Sequence, residues 1–213
     1  MLYPINMELA GRSCVVLGGG PVALRKVCGL LEAEAKVKVI SPALRPELAE
    51  LVDGVHLRWV QRTYRQEDLD GCFLVVCATD REQVNREAAL YAKAHGILVN
   101  APAQPPLSDF IVPAIVRRGK LLLSVSTGNI SPAFSRLVRK RLEQDFPQAF
   151  GIWMERLQDI RQEVKGKLRD ARARENFWRT AMDAHIFDLV KAGQLDQAED
   201  ELRNAIDSNR VKP

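Results

Sequence analysis

The chain has little of what would make it a membrane, metal-bound or disulfide-stapled protein. No apolar run approaches the roughly 20 residues that cross a bilayer, and the opening Met1-Leu2-Tyr3-Pro4 lacks a basic region followed by an apolar stretch. The expectation is a cytoplasmic protein with no membrane partner. Cys14, Cys28, Cys72 and Cys77 show no C-x-x-C spacing and lie in or beside apolar runs, which argues against a disulfide framework or zinc site and reads as buried free thiols. The three histidines, His56, His95 and His185, are scattered, with no second histidine or cysteine at i+3 or i+4, so no metal site is expected. Acidic residues are missing altogether between Asp109 and Glu143, where Arg117, Arg118, Lys120, Arg136, Arg139, Lys140 and Arg141 fall. Aromatic residues do not interleave with these charges except at Phe134, which argues against nucleic acid as the partner. From Gly151 onward twelve basic and twelve acidic residues cancel, so the net charge of +4 belongs to the first two thirds.

What is present is an ordinary soluble composition, 46% hydrophobic and 27% charged over 213 residues, enough for one full domain and a smaller second unit. Ser13 to Leu17 is a short apolar run that stops at Gly18-Gly19-Gly20, and Pro21 to Ala35 follows with apolar residues at helical spacing. Val37 to Ile40 supplies the next strand, Leu44 to Val52 a short helical pattern and His56 to Val60 a further strand. Cys72 to Ala78 is the most continuous apolar run, read as a buried central strand. It leads through Thr79-Asp80 into a helix from Gln83 to His95, a strand from Gly96 to Asn100 and the Pro102 to Pro106 loop. Strands alternating with helices over short connections predict an α/β fold, an open parallel sheet of the Rossmann kind.

Beyond the loop, Phe110 to Val116 and Lys120 to Ser126 are two more β-like runs. Ser131-Pro132 opens a helix with stripe Phe134, Leu137, Val138 and Leu142. Trp153 to Leu168 and Phe177 to Val190 read as two helices, the second closed by Gly193, and Asp196 with Glu199 reads as a capping box for the last.

Gly18, Gly20 and Ala23 form a G-x-G-x-x-A turn directly between a strand and a helix, as a pyrophosphate requires. The second strand ends in Ile40-Ser41-Pro42-Ala43, with neither the usual ribose-binding acid nor a basic residue, so Ser41 and backbone groups are expected to hold the ribose of NAD rather than NADP. Thr79, Asp80 and Asn100 stand at carboxyl ends of strands, where such folds bind ligands; Asp80 reads equally as a helix N-cap. The hydroxyl-rich loop Ser124 to Pro132, inside the acid-free stretch, suits a polycarboxylate anion, and reads equally as a solvated, capped turn.

Taken in order, Tyr3-Pro4-Ile5, Gly18 to Lys26, Ala78-Thr79-Asp80 with Asn85, Asn100, Asp109 to Ala114, and Ser126-Thr127-Gly128 with Ser131-Pro132 resemble the precorrin-2 dehydrogenase (siroheme synthase) family. The resemblance implies NAD-dependent oxidation of precorrin-2 to sirohydrochlorin in a homodimer, with ferrous iron insertion in bifunctional members. It also implies a Rossmann domain over 1–112, a dimerisation segment over 113–148 and a helical C-terminal domain over 149–213. Pro21, Val22, Pro42 and Ala43 fall on cofactor-contacting positions. Ser126, Thr127, Gly128, Ser131, Arg117 and Arg118 fall to the substrate. The family's catalytic aspartate is Ala103 here, which puts chelation more in question than dehydrogenation and leaves Asp109 as the nearest carboxylate to substitute. Glu34 replaces a family glycine and Asn129 stands in a usually glycine-rich turn; both are tolerable if they adopt ordinary loop conformations. The competing reading, prompted by Ala103, is a non-catalytic tetrapyrrole-binding or NAD-sensing module.

Overall fold

A computed structural model describes residues 2–210. The chain divides into two compact units, Met1–Val112 and Pro113–Pro213. In the first, five parallel strands, β1 (Ser13–Leu17), β2 (Lys36–Ile40), β3 (Leu57–Val60), β4 (Leu74–Cys77) and β5 (Leu98–Asn100), lie in the order β3-β2-β1-β4-β5. Val15 stands opposite Lys38 on one side and Val75 on the other, so β1 is central, and β1 and β4 lie inside the sheet as their unbroken apolar runs predict, together with β2. Helices α1 (Pro21–Glu32), the short α2 (Pro46–Ala49) and α3 (Glu82–Ala94) complete the unit.

The period of two along β1 sorts its side chains between two cores. Cys14 and Val16 pack with Ala23, Val27 and Leu30 of α1, while Val15 and Leu17 pack with Ala88, Ala89 and Ala92 of α3. Crossovers leaving β1 and β4 toward opposite faces open a crevice at their carboxyl ends, the topological switch point where doubly wound sheets bind ligands. The thiols of Cys14, Cys72 and Cys77 are buried and free. Burial pushes them up to about 11, 11 and 12, which leaves them protonated and unreactive at neutral pH.

The second unit holds an antiparallel ribbon, β6 (Ala114–Arg118) and β7 (Leu121–Val125), then α4 (Pro132–Asp145), α5 (Ala149–Lys167), α6 (Ala171–Ala181), α7 (Ala184–Lys191) and α8 (Leu195–Arg210). A Cβ on Gly119 at the ribbon's turn would come within 3.3 Å of the Gly151 backbone, so α5 crosses the hairpin where both chains lack side chains. Trp153, Ile160, Val164, Phe177, Leu189, Leu202 and Ile206 fill the core. Ser131 caps α4 as expected, accepting from the Phe134 N–H at 3.1 Å.

Several local expectations are corrected. The Phe177 to Val190 run is two helices, because the Asp183 carboxylate accepts the Ile186 N–H at 3.0 Å and starts a new one. Asp196 and Glu199 lie inside α8, which begins at Leu195, and both bind the Arg156 guanidinium, at 2.7 and 2.9 Å. The first β run starts at Ala114, since Pro113 has no N–H to give a ladder. Of the α4 stripe, Phe134 and Leu137 are exposed. Glu34 and Asn129 are not in ordinary conformations but left-handed, with φ of +57° and +67°.

Candidate functional site

The crevice is a cleft of about 720 Å³ walled by the glycine turn, the loop after β2 and the turn after β4. Each glycine of the turn has a different reason to be one. Gly18 has φ +107°, and a Cβ there would stand 2.4 Å from the Ala78 carbonyl oxygen. At Gly19 a Cβ would meet the Ala43 carbonyl oxygen at 2.0 Å. Gly20 is different: a Cβ would have nothing within 4 Å, so the protein's own packing makes no demand there. The residue is the N-cap of α1, its φ is −88°, and no side chain caps that helix. The bare turn therefore keeps an open space in front of uncapped helix amides, as a pyrophosphate needs. The residues present fit a dinucleotide.

The other walls are tied down by their own hydrogen bonds. The Ser41 hydroxyl donates to Ala43 O at 2.7 Å, Trp59 Nε1 donates to Ser41 O at 2.9 Å, and the Arg45 N–H donates to Gly19 O at 2.9 Å. After β4, the buried Asn85 side chain accepts from the Thr79 N–H at 3.1 Å and from its hydroxyl at 2.7 Å, and donates to Thr79 O at 2.9 Å. Asn85 thus completes the backbone pairing that the strand has just lost, and it fixes the turn carrying Asp80. Asp80 is exposed on the cleft wall and does not cap α3, whose N-cap is Arg81.

Of the expected cofactor residues, Gly18, Gly20, Pro21, Val22, Ser41, Pro42, Ala43, Thr79 and Asp80 line the cleft. Ala23 is fully buried beneath α1 and serves packing. Asn100 is buried, with Nδ2 donating to Phe110 O at 3.0 Å and Oδ1 without a partner, and it is not on the cleft wall. Arg45, Thr63, Tyr64 and Arg81 line the cleft and were missed. Arg45 lies only two residues past the loop end considered, so following the chain to the start of α2 would have found it.

The expectation for Asp109 changes. Its N–H donates to Val99 O and its Oδ2 accepts the Val99 N–H, both at 2.9 Å, while Oδ1 lies 3.3 Å from Lys93 Nζ. The residue closes the free edge of β5 as a strand partner would, and it does not line the cleft.

In the second unit the hydroxyl loop mostly bonds to itself. Thr127 Oγ1 accepts the Ser131 N–H at 3.1 Å, Ser126 Oγ accepts the Gly128 N–H at 3.2 Å, and Ser131 Oγ is the cap already described. Arg118 is a correction: Nε donates to Phe146 O at 2.7 Å, Nη2 to Glu143 O at 3.3 Å and Nη1 to Arg117 O at 3.0 Å. Its charge sits on the carbonyls ending α4, where a cation is favoured, so three of its five N–H donors are already used within the protein. Arg139 pairs with Glu143 and Arg141 with Asp145. Among the described residues, the Arg117, Lys120, Arg136 and Lys140 side chains of this stretch have no carboxylate partner and are exposed.

Two family models match the chain: one described as "Putative NAD(P)-binding", over residues 5–114, and one as the sirohaem synthase dimerisation region, over 149–206. The dimerisation description therefore falls on the helical part. A siroheme synthase of Thioalkalivibrio sulfidiphilus is 38% identical over 206 residues, covering 97% of this chain and 42% of that protein. Another, of Nitrosococcus oceani, is 38% identical over 208 residues, covering 98% and 44%. The chain thus spans less than half the length of these relatives. Among solved structures, SirC, a precorrin-2 dehydrogenase, superposes with a TM-score of 0.78 at 24% identity, over 97% of this chain and 100% of that one. The likeness confirms the fold, and the family resemblance read from the motifs is borne out.

Proposed function

The chain belongs to the NAD(P)-binding family and carries a sirohaem synthase dimerisation region, and from that premise we propose that it oxidises precorrin-2 to sirohydrochlorin with NAD in siroheme biosynthesis. The observation that supports this most is the cleft: a turn whose third glycine has no packing duty, at a sheet switch point, in a chain similar to siroheme synthases along nearly its whole length. A bound nicotinamide supplies the hydride acceptor. The protein's part is placement. Gly20 leaves room for the pyrophosphate and the amides of α1 face its charge, while Ser41 and Ala43 form the wall for the adenosine ribose. Thr79, held by Asn85, presents a fixed edge toward the centre of the cleft. The proton that leaves with the hydride needs only an acceptor; Asp80 is the one carboxylate on the wall among the described residues. Placement alone can supply a large part of the rate.

The substrate is a polycarboxylate, and Arg117, Lys120, Arg136 and Lys140 are the exposed cations of the acid-free stretch, among the described residues, with no carboxylate partner to keep them from it. We assign dehydrogenation to this chain and not iron insertion, because chelation requires pyrrole protons to be removed and Ala103 offers no base. We also place the protein in the cytoplasm as a homodimer; the dimerisation description falls on 149–206, but the most exposed apolar side chains of the second unit lie in the 113–148 segment, and we join the protomers there. There, Ile130, Phe134 and Leu137 are 89%, 56% and 63% exposed, an apolar surface of the kind that association covers.

Anaerobic incubation with precorrin-2 and NAD is expected to give the sirohydrochlorin spectrum. A protein that binds NADH tightly without converting precorrin-2 is instead a sensor. With ferrous iron added, chelation is expected only from Ala103→Asp; equal chelation by the unaltered chain overturns the assignment.

A further inference from the structure

Arg45 is a cation of the cofactor cleft, and Glu47 is what holds it. The guanidinium is forked onto the carboxylate, Nη2 to Oε1 at 2.9 Å and Nε to Oε2 at 3.3 Å. Both side chains are solvent-exposed. The backbone of Arg45 is fixed against the glycine turn through its N–H bond to Gly19 O, and the residue lines the cleft. Glu47 is not on that wall. The hydrogen bond to Arg45 holds the Glu47 carboxyl below its ordinary range, so the pair is ionised at neutral pH.

This matters because of what the loop lacks. Folds that select NAD place a carboxylate after β2 to accept the ribose 2′-hydroxyl, and those that accept NADP place an arginine near it for the 2′-phosphate. Ile40-Ser41-Pro42-Ala43 has no such carboxylate. The neighbouring Arg62 is committed to Asp68, at 2.6 and 2.7 Å. A guanidinium fork can grip one carboxylate or one phosphate in bidentate fashion. Glu47 holds the Nε–Nη2 edge of Arg45 and neutralises its charge, so an arriving 2′-phosphate either displaces the carboxylate from that edge or takes the outer Nη1–Nη2 edge with the carboxylate still beside it; both place two negative charges at one guanidinium, whereas a 2′-hydroxyl asks for neither.

We infer that Glu47 sets cofactor selectivity by occupying Arg45, so that the cleft holds a latent 2′-phosphate site which the carboxylate keeps closed. The inference rests on the dinucleotide reading above and names two specificity-determining residues for it. The test is the dissociation constants of NADH and NADPH, by nicotinamide fluorescence at low salt, for the full chain and for Glu47→Gln, Arg45→Gln and the double variant. Glu47→Gln is expected to tighten NADPH about tenfold, the scale of one freed charge-assisted fork. It should leave NADH within about twofold, and adding Arg45→Gln should erase the gain. The gain should also shrink at high ionic strength, since the pair is exposed. An unchanged NADPH affinity in a Glu47→Gln protein that binds NADH overturns the inference, as does a gain that survives Arg45→Gln. If the unaltered chain binds neither nucleotide, the dinucleotide reading falls first and takes the inference with it.

Discussion

The two units of the chain differ in how they bury their strands and helices. In the first, Cys14, Val15, Val16 and Leu17 of β1 are fully buried, and the helices on both faces contribute the residues that cover them. In the second, α4 contains no buried residue and the β6–β7 ribbon buries only Val116. The first unit encloses its central strands between helices and has a concave opening at their carboxyl ends, while apolar side chains of its opening segment, Leu2, Tyr3, Ile5 and Met7, stay exposed. The second builds a full core between α5 and α8 but leaves the ribbon and α4 partly uncovered. A fold that closes on itself suits a cofactor that must be held in fixed geometry; one that leaves an apolar face open suits association.

The sharpest way to break this contrast is inside the glycine turn, where packing and ligand binding separate by residue. Gly18→Ala forces a Cβ against the Ala78 carbonyl at a positive φ, and is expected to cost on the order of 2–4 kcal/mol of stability. Gly20→Ala meets open space at a negative φ. It should leave stability within about 0.5 kcal/mol while weakening NADH at least about tenfold by filling the phosphate space. Denaturant melts and NADH titration of the two proteins check both halves. A Gly20→Ala protein that binds NADH normally would remove the turn from the cofactor site.

Much of the first unit was legible because its constraints are local. A strand ending in a turn whose first two glycines admit no side chain, and β4 as an unbroken apolar run, leave few alternatives. The rest of the cleft was not legible for a reason equally physical: Thr63 and Tyr64 reach it from a loop whose path depends on the whole sheet. In the second unit, Arg118 looked like an anion ligand because a basic residue beside a hydroxyl loop reads that way in one dimension. Its use as a cap on α4 depends on a helix end 25 to 28 residues away. Asp183 was hidden in the same manner, since an N-cap inside a continuing apolar period does not interrupt the pattern. The structural use of Asp109 was hidden because its partner, Val99, belongs to an edge strand that sequence order does not mark as an edge.

The second test addresses the open face. Phe134→Asp with Leu137→Asp alters side chains that are already exposed, so the fold of each unit should survive. If these residues meet a second copy across a two-fold axis, four apolar side chains leave the interface, each worth roughly 1.5–3 kcal/mol when fully buried. The dimer dissociation constant should then rise by at least about a hundredfold. Sedimentation velocity distinguishes the outcomes: a variant that dimerises as before places the interface elsewhere.

The smallest expected effect compares one residue in each unit. Glu34 follows α1, whose end shows the Ala35 N–H donating to Leu30 O at 3.0 Å and the Glu34 N–H donating to Leu31 O at 2.9 Å. This is the helix-ending geometry that normally places glycine at the left-handed position, and the Glu34 side chain is exposed with no ion-pair partner among the described residues. Its strain is therefore uncompensated by side-chain contacts. Glu34→Gly relieves roughly 1–2 kcal/mol of left-handed strain. It also frees the unfolded chain, which takes back part of the gain, leaving about 0.5–1 kcal/mol. For a protein of this size that raises the melting temperature by about 1–4 °C. Asn129 occupies the same region of backbone space at φ +67°, but asparagine adopts it readily, so Asn129→Gly should move the melting temperature by less than about 1 °C. A Glu34→Gly protein no more stable than Asn129→Gly would show that the left-handed turn before β2 is held without strain, and the contrast between the two positions would disappear.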